Sequence, residues 1–313
     1  GGTWSQMFLG FVGQSIFAVG VNPQAVNNVI VGSANSSGIF KTIDGGVTWT
    51  PSSSGVRANS VIGFAQSPHN SSELVMSSTV GAGLGRSYRS LDGGASWSVI
   101  NEVNANDGVA SWNFDPQAAN TVLAGMMSKG LYRSTSGFSG PWTRVITTDT
   151  KVDRIRRDLV TSNIVYALAR EGSVGADIRV YYSGDGGASF AKRSSYYAND
   201  LSVHPTNANE AVLVSTSDGF SSTNGFQTGT SLGLTSQASE QGGLSAIAFN
   251  PNSSSEIWVG GVSGGLFRAK NYAHGTSPVW ESISSPISNA IVQNILVRSD
   301  AGVKAIYVSS FGG

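Results

Sequence analysis

Short runs of apolar residues alternate with polar, glycine-rich turns along the whole chain. Typical runs are Val29-Ile30-Val31, Val122-Leu123-Ala124 and Ile257-Trp258-Val259. Apolar runs of four to six residues bounded by turn residues are typical of β-strands, and no segment has a convincing helical period. The pattern therefore predicts an all-β protein.

A pair of strands around a turn recurs seven times in this pattern. In five copies the first strand ends near a proline, and in two it ends near another residue. The anchor positions are Pro23, Pro68, Pro116, Arg157, Pro205, Pro251 and Ser299. Intervals of 41 to 48 residues between anchors match one four-stranded blade each. Residues 1–313 are therefore predicted to form one domain, a seven-bladed β-propeller of four-stranded antiparallel blades.

A sequence motif of eight residues follows three of these strand pairs. It reads Ser/Thr-x-Asp-Gly-Gly-x-Ser/Thr-Trp/Phe and occurs at residues 42–49, 90–97 and 183–190. An aspartate before two glycines accepts backbone N–H groups and favours a β-hairpin turn. We therefore expect Asp44, Asp92 and Asp185 to lie in turns between third and fourth strands. The aromatic residues after the turns are expected to pack between neighbouring sheets, and they are Trp49, Trp97 and Phe190.

This motif resembles the Asp-box, or BNR repeat, of β-propellers. Sortilin-type receptors also carry this repeat. The blade spacing is similar to that of the propeller domains of xyloglucan-cleaving glycosidases. The resemblance implies that the boxes lie on the outer rim, away from the axial face where ligands bind. It also implies a two-domain relative in which each propeller supplies one catalytic aspartate.

The seventh blade has an unusual composition. Residues 1–5, Gly-Gly-Thr-Trp-Ser, resemble the second half of the box and the strand after it. We therefore expect residues 1–8 to complete the seventh blade and close the ring. The chain stops where the third strand of that blade would begin, so either the blade is thin or further domains of a longer chain exist.

The composition narrows the class of ligand. Only 12% of residues are charged, and 19 basic residues balance 19 acidic ones, which predicts no binding of nucleic acid. No apolar run approaches 18 residues, so no membrane insertion is expected. The chain has no cysteine and three histidines, and we expect neither a metal nor another cofactor. Low charge with abundant Ser, Asn, Gly and Thr indicates a secreted or cell-surface protein.

Charge concentrates at one place, residues 153–158, on a strand that should surround the axis. Arginine there could clamp a carboxylate or phosphate, whereas the alternative is a salt-bridged strand and turn. Arg298 occupies the position equivalent to Arg156 in another blade. The candidate ligand-binding residues are Arg154, Arg156, Asp158 and Arg298.

The sequence assigns no catalytic residue. A sialidase needs three arginines on separate blades, and only Arg156 and Arg298 match. Glycoside hydrolysis needs two carboxylates at a fixed separation. Asp218 is the only acidic residue in the loops after second strands, where the resemblance places the catalytic carboxylates.

Three functions remain open. The first is a secreted, non-catalytic propeller that binds a polysaccharide, an oligosaccharide or an extracellular protein. The second is a glycoside hydrolase-like domain that forms one half of a two-propeller enzyme. The third is a structural module of a cell-surface fibre.

Overall fold

A computed structural model shows the chain as a ring of antiparallel β-sheets. It describes residues 16–22, 25–33, 38–57, 60–79, 85–100, 103, 107–171, 178–283, 290–300 and 303–311. Among these residues, none of the helices has the length and apolar character needed to span a bilayer.

Six sheets of the described chain have four strands each, and within each sheet consecutive strands pair antiparallel. The first blade comprises β1 (Ile16–Asn22), β2 (Ala25–Ser33), β3 (Ile39–Thr42) and β4 (Thr50–Pro51). The second comprises β5 (Ser60–Gln66), β6 (Leu74–Thr79), β7 (Ser87–Ser90) and β8 (Ser98–Val99). The third comprises β9 (Val109–Phe114), β10 (Val122–Met126), β11 (Leu131–Ser134) and β12 (Thr143–Ile146).

The next three blades continue the same order. The fourth comprises β13 (Thr150–Arg157), β14 (Val165–Glu171), β15 (Ile178–Ser183) and β16 (Ala191–Tyr197). The fifth comprises β17 (Asp200–Val203), β18 (Ala211–Val214), β19 (Gly219–Ser222) and β20 (Thr230–Ser231). The sixth comprises β21 (Leu244–Asn250), β22 (Ser253–Gly261), β23 (Leu266–Ala269) and β24 (Glu281–Ile283).

The seventh position differs from the prediction. There the described residues form a two-stranded sheet, β25 (Ile291–Asp300) and β26 (Val303–Phe311). The prediction of seven four-stranded blades is therefore wrong, because the described chain builds six such blades. Residues 1–8, expected as the outer strand here, lie outside the described residues.

The two-stranded sheet closes the ring through side-chain packing. First strands of successive blades contact one another around the axis, and β26 contacts β1 of the first blade. Tyr307 packs against the cluster of Val29 and Val31, while Val292 packs against Trp258 of the sixth blade. The described fold is therefore a closed all-β propeller.

Glycines on second strands let neighbouring blades approach closely. A β-carbon added to Gly125 or Gly260 would lie 2.8 or 2.4 Å from a valine of the next blade's first strand, Val152 or Val292. Interiors are packed too densely to accept such an overlap. Glycine is therefore required where one sheet presses a side chain into the next.

The three Asp-Gly-Gly turns share one hydrogen-bond pattern. Asp44 accepts bonds from the hydroxyl of Thr42 (2.6 Å), the backbone N–H of Thr48 (2.9 Å) and the hydroxyl of Thr48 (2.6 Å). These bonds hold the pKa of the Asp44 carboxyl well below its usual range. Asp92 and Asp185 make the equivalent bonds. All three turns join a third strand to a fourth, so these aspartates serve the backbone.

Two short helical segments of the described chain depart from the strand-only prediction, a 3-10 helix at Gly137–Ser139 and one α-helix. Helix α1 (Thr235–Gln241) ends at Gly242, which has a positive φ of 66°. The side-chain oxygen of Gln241 accepts the backbone N–H of Gly265 at 2.7 Å. Seven residues are too few for a periodic signal, and contact with the sixth blade holds the helix instead.

Candidate functional site in the axial channel

The candidate site is built on β13, whose eight residues include five charged ones, Lys151, Asp153, Arg154, Arg156 and Arg157. A register shift between Val152 and Arg154 in the pairing with β14 leaves Asp153 as an extra residue. Asp153 forms ion pairs with Lys151 (2.8 Å) and Arg170 (3.5 Å), the latter on β14. A bulge of this kind changes the direction of the side chains that follow it.

Arg154 joins the fourth blade to the two-stranded sheet. Its guanidinium donates to the side-chain oxygen of Asn294 at 2.8 Å and to the backbone carbonyl of Gln293 at 2.9 Å, both on β25. A third contact, of 3.5 Å, reaches the carboxylate of Asp200 on β17. One side chain thus links three of the seven sheets.

Arg156 contacts the same carboxylate. Its guanidinium lies 3.0 Å from Asp200 and also donates to the backbone carbonyl of Leu201 at 3.1 Å. Burial lowers the pKa of Arg156, whereas the charge of Asp200 opposes that shift and the charge of Arg154 adds to it. The Arg156 side chain remains 35% exposed, compared with 3% for Asp200. Two cations therefore share one buried anion, and one of the two cations faces solvent.

Backbone groups fix Asp200 in place. The first residue of β17, it accepts the N–H of Leu201 at 2.9 Å and the N–H of Ile247 at 3.2 Å. Asp200 was not among the residues predicted from the sequence. Its position at the start of a first strand is the signal that could have identified it.

The structure places the four predicted site residues differently. It brings Arg154 and Arg156 together around Asp200. Asp158 is fully buried and accepts the backbone N–H groups of Val160, Thr161, Ser162 and Ile164, so its carboxylate holds the turn between β13 and β14. The side chain of Arg298 lies outside the described residues, and its backbone pairs with Ala305.

Asp218, the acidic residue that the sequence offered in a loop after a second strand, has structural partners, and so does Glu171. Asp218 accepts the hydroxyl of Ser231 at 2.6 Å and the backbone N–H of Leu234 at 2.8 Å. Glu171 accepts bonds from Tyr181 and Lys192. Among the described residues, no cluster of three His, Asp or Glu side chains could hold a metal ion.

A concavity lies between the first two blades. This cavity of about 440 Å³ is lined by Lys41, Gln66 and Asp92, and by Leu296 of the two-stranded sheet. The Lys41 ammonium donates to the carbonyl of Gly93 at 2.7 Å, so it links neighbouring blades. The charged groups lining this cavity are thus engaged in turns and blade contacts.

Known proteins resemble this chain in structure. No protein-family model and no curated protein sequence matches it. A GH74 enzyme from Niastella koreensis has a TM-score of 0.67 at 18% identity, covering 95% of this chain and 51% of that one. An ancestral GH74 enzyme has a TM-score of 0.73 at 17% identity, covering 99% and 45%.

YCF48 is a second kind of structural relative. YCF48 from Cyanidioschyzon merolae has a TM-score of 0.65 at 15% identity, covering 96% of this chain and 94% of that one. A structure of YCF48 bound to D1 peptide has a TM-score of 0.65 at 14% identity, covering 95% and 91%. The chain thus spans about half the length of the GH74 enzymes and nearly all of YCF48. These structural similarities show that this chain has the β-propeller fold.

Proposed function

We propose that this propeller is a non-catalytic, extracellular binding module that takes a carboxylate-bearing ligand at its axial channel. The observation that carries the proposal is the pair Arg154 and Arg156 around the single buried carboxylate of Asp200. The two guanidinium groups outnumber the one carboxylate, so this group of three side chains carries a net positive charge. An incoming carboxylate would neutralise it.

The geometry supports recognition of an anion by Arg156 in particular. Asp200 and Leu201 fix the direction of its guanidinium, while about a third of the side chain remains in solvent. A preorganised guanidinium loses little conformational freedom when it binds a planar carboxylate. Partial burial also strengthens the attraction relative to bulk water.

Two ligand classes carry the required group: acidic oligosaccharides and peptides with acidic or terminal carboxylates. The structural relative YCF48 has been seen bound to a peptide, which supports a protein partner. The GH74 relatives support a carbohydrate. We place acidic oligosaccharides first because a charge-poor, hydroxyl-rich composition favours an extracellular setting.

The second candidate function is half of a two-propeller glycosidase. The observation in its favour is that this chain covers about half of each GH74 enzyme. A general acid needs a carboxyl group with a raised pKa. In the described part of the chain, wherever a carboxyl pKa departs from its ordinary value, the shift is downward. We therefore favour binding over hydrolysis.

Calorimetric titration with an oligogalacturonide and a neutral oligosaccharide of equal length tests the proposal. We expect binding of the acidic sugar, weakened at least tenfold by Arg156→Gln. Arg268→Gln is the matched control, because Arg268 pairs with Glu281 on the outer strands β23 and β24. Equal binding of both sugars, or an unaffected Arg156→Gln variant, would contradict the proposal. Release of reducing ends would instead support the glycosidase.

A further inference from the structure

Asparagine takes the place of aspartate in the hairpin turn of the fifth blade. Residues 222–226 read Ser-Thr-Asn-Gly-Phe and lie in the turn that joins β19 to β20. The equivalent turns of the first, second and fourth blades carry Asp44, Asp92 and Asp185. Asn224 therefore brings an exposed side-chain amide, directly before a glycine, to a turn that elsewhere holds a carboxylate.

Asn224 makes most of the hydrogen bonds of those aspartates. Its side-chain oxygen accepts the hydroxyl of Ser222 at 2.9 Å and the backbone N–H of Thr228 at 3.1 Å. Asp185 accepts the equivalent two groups in the fourth blade. One bond runs the other way, because the Asn224 amide donates to the hydroxyl of Thr228 at 2.8 Å, whereas Asp185 accepts the hydroxyl at that place. Rotation of one hydroxyl would thus let an aspartate at position 224 complete the pattern.

The structure requires glycine immediately after Asn224. Gly225 has a positive φ of 67°, which residues with a β-carbon rarely adopt. A β-carbon added there would also lie 2.5 Å from the ring of Tyr182 in the fourth blade. The fold therefore imposes an Asn-Gly pair, and no side chain at position 225 shields the backbone nitrogen that follows Asn224.

The backbone N–H of Gly225 lacks a hydrogen bond that four other described turns share. In those turns the corresponding glycine N–H donates to a backbone carbonyl near the start of the second strand. The pairs are Gly45 with Asn27 (3.0 Å), Gly93 with Ser72 (2.8 Å), Gly137 with Asn120 (2.8 Å) and Gly186 with Asn163 (2.8 Å). Among the described residues, no acceptor lies within hydrogen-bond distance of the Gly225 N–H, although Gly225 is buried. A buried N–H without an acceptor is unfavourable, and a reaction that removes it relieves that cost.

The surroundings of Asn224 favour attack on its side-chain carbonyl by that nitrogen. Ser222 and Thr228 both donate to the carbonyl oxygen, so they would stabilise the negative charge of a tetrahedral intermediate. The guanidinium of Arg193 donates to the carbonyl of Gly225 at 2.8 Å. A positive charge this close favours loss of the proton from the Gly225 nitrogen. The turn thus provides a free nucleophile beside a polarised amide.

We propose that Asn224 is a site of spontaneous covalent modification, at which the folded turn converts the asparagine into aspartate. The Gly225 nitrogen loses its proton and bonds to Cγ of Asn224, and the side-chain amide takes up a proton and leaves as ammonia. The product is a cyclic succinimide, in which residue 225 has no N–H. Water that adds to Cγ opens the ring to aspartate, whereas water that adds to the backbone carbonyl gives isoaspartate. Because Ser222 and Thr228 donate to the oxygen on Cγ, they favour the aspartate product.

Incubation of the folded protein in mildly alkaline buffer, followed by peptide mapping with mass spectrometry, tests this site. Asp185→Asn is the matched variant, since it creates the same Asn-Gly pair in a turn whose glycine N–H, that of Gly186, donates to the carbonyl of Asn163. In the folded variant we expect position 224 to convert at least tenfold faster than position 185. Short peptides with the two turn sequences supply the reference rates without the fold, and each folded rate is divided by that of its peptide.

The products distinguish a reaction directed by the turn from one that any unfolded Asn-Gly pair undergoes. Chromatography separates aspartate from isoaspartate, with Asn224→Asp as the reference for aspartate, and we expect a larger share of aspartate from the folded protein than from the peptide. The proposal is overturned if position 224 of the folded wild type converts more than tenfold more slowly than its peptide. Equal relative rates at positions 185 and 224, or the same product ratio in protein and peptide, would also overturn it.

Discussion

At the scale of single residues, different types of side chain accept the same backbone hydrogen bonds in equivalent turns of the blades. The turn between first and second strands needs an acceptor for the N–H groups two or three residues ahead. The acceptors are Asp115, Asp158, the ring nitrogen Nδ1 of His204, and Asn250. Blades tolerate these exchanges because each side chain places a lone pair at the same point of the turn.

Among these acceptors, His204 makes stability depend on pH. Its Nδ1 accepts N–H groups of Thr206 (3.2 Å) and Asn207 (3.0 Å), which requires a neutral ring. Burial lowers the pKa of His204, although the nearby carboxylate of Glu210, itself bonded to Tyr272, opposes this shift. A lowered folded-state pKa gives stability that is complete above the unfolded pKa near 6.5 and is lost as pH falls through the folded value.

We therefore predict that wild type loses about 1 kcal/mol more than His204→Asn between pH 7 and pH 5. Urea unfolding across that range measures the difference. Asparagine keeps an uncharged acceptor, as Asn250 does in the next blade. Parallel pH profiles for the two proteins would contradict this role of His204.

At the scale of elements, a buried ion pair joins the third and fourth blades. Arg157 of β13 lies 3.0 Å from the carboxylate of Asp115, and the two side chains are 1% and 8% exposed. Arg157 also donates to the carbonyl of Ser162 (2.6 Å), and Ser162 donates to Asp115. Removing one charge would leave the other buried without its counter-charge.

We predict that Asp115→Asn lowers the free energy of unfolding by about 3 kcal/mol. The double variant Asp115→Asn, Arg157→Met should recover part of the loss, because it removes both charges. Asp149→Asn is the control, since Asp149 is exposed and loss of its pair with Arg144 should destabilise the protein far less. Chemical denaturation checks all three, and equal losses at positions 115 and 149 would refute the assignment.

At the scale of the whole molecule, ring closure determines how the propeller unfolds. The seventh sheet contacts both the sixth blade and the first, although it has only two described strands. In an open array, a terminal unit could detach alone. In a closed ring, a defect at any blade interface weakens the whole molecule.

We predict that Gly260→Ala and Gly125→Ala each destabilise the whole propeller by about 1–3 kcal/mol in a single transition. The added methyl groups would meet Val292 and Val152, at a terminal and an internal interface. Replacing Val292 by alanine as well should recover only part of the loss, because the β-carbon of residue 292, 2.6 Å from the added methyl group, remains. Calorimetry that shows separate early melting of the seventh sheet in Gly260→Ala would indicate an open ring.

The sequence determined the local features because they depend on neighbouring residues. Apolar runs of strand length predicted the strands, and turn aspartates such as Asp44 hold hairpins through bonds within five residues. Residue types also located the charge cluster of β13. Helix α1 was missed because it is short and is held by contact with the sixth blade.

Only the tertiary structure decided which of these residues meet. Arg154 reaches Asn294, 140 positions away in sequence, and shares Asp200 with Arg156, because the ring brings first strands together around one axis. The same closure packs Tyr307 of β26 against Val29 and Val31 of the first blade. Strand content follows from local preference, whereas the site arises from packing between distant blades, which a linear pattern does not encode.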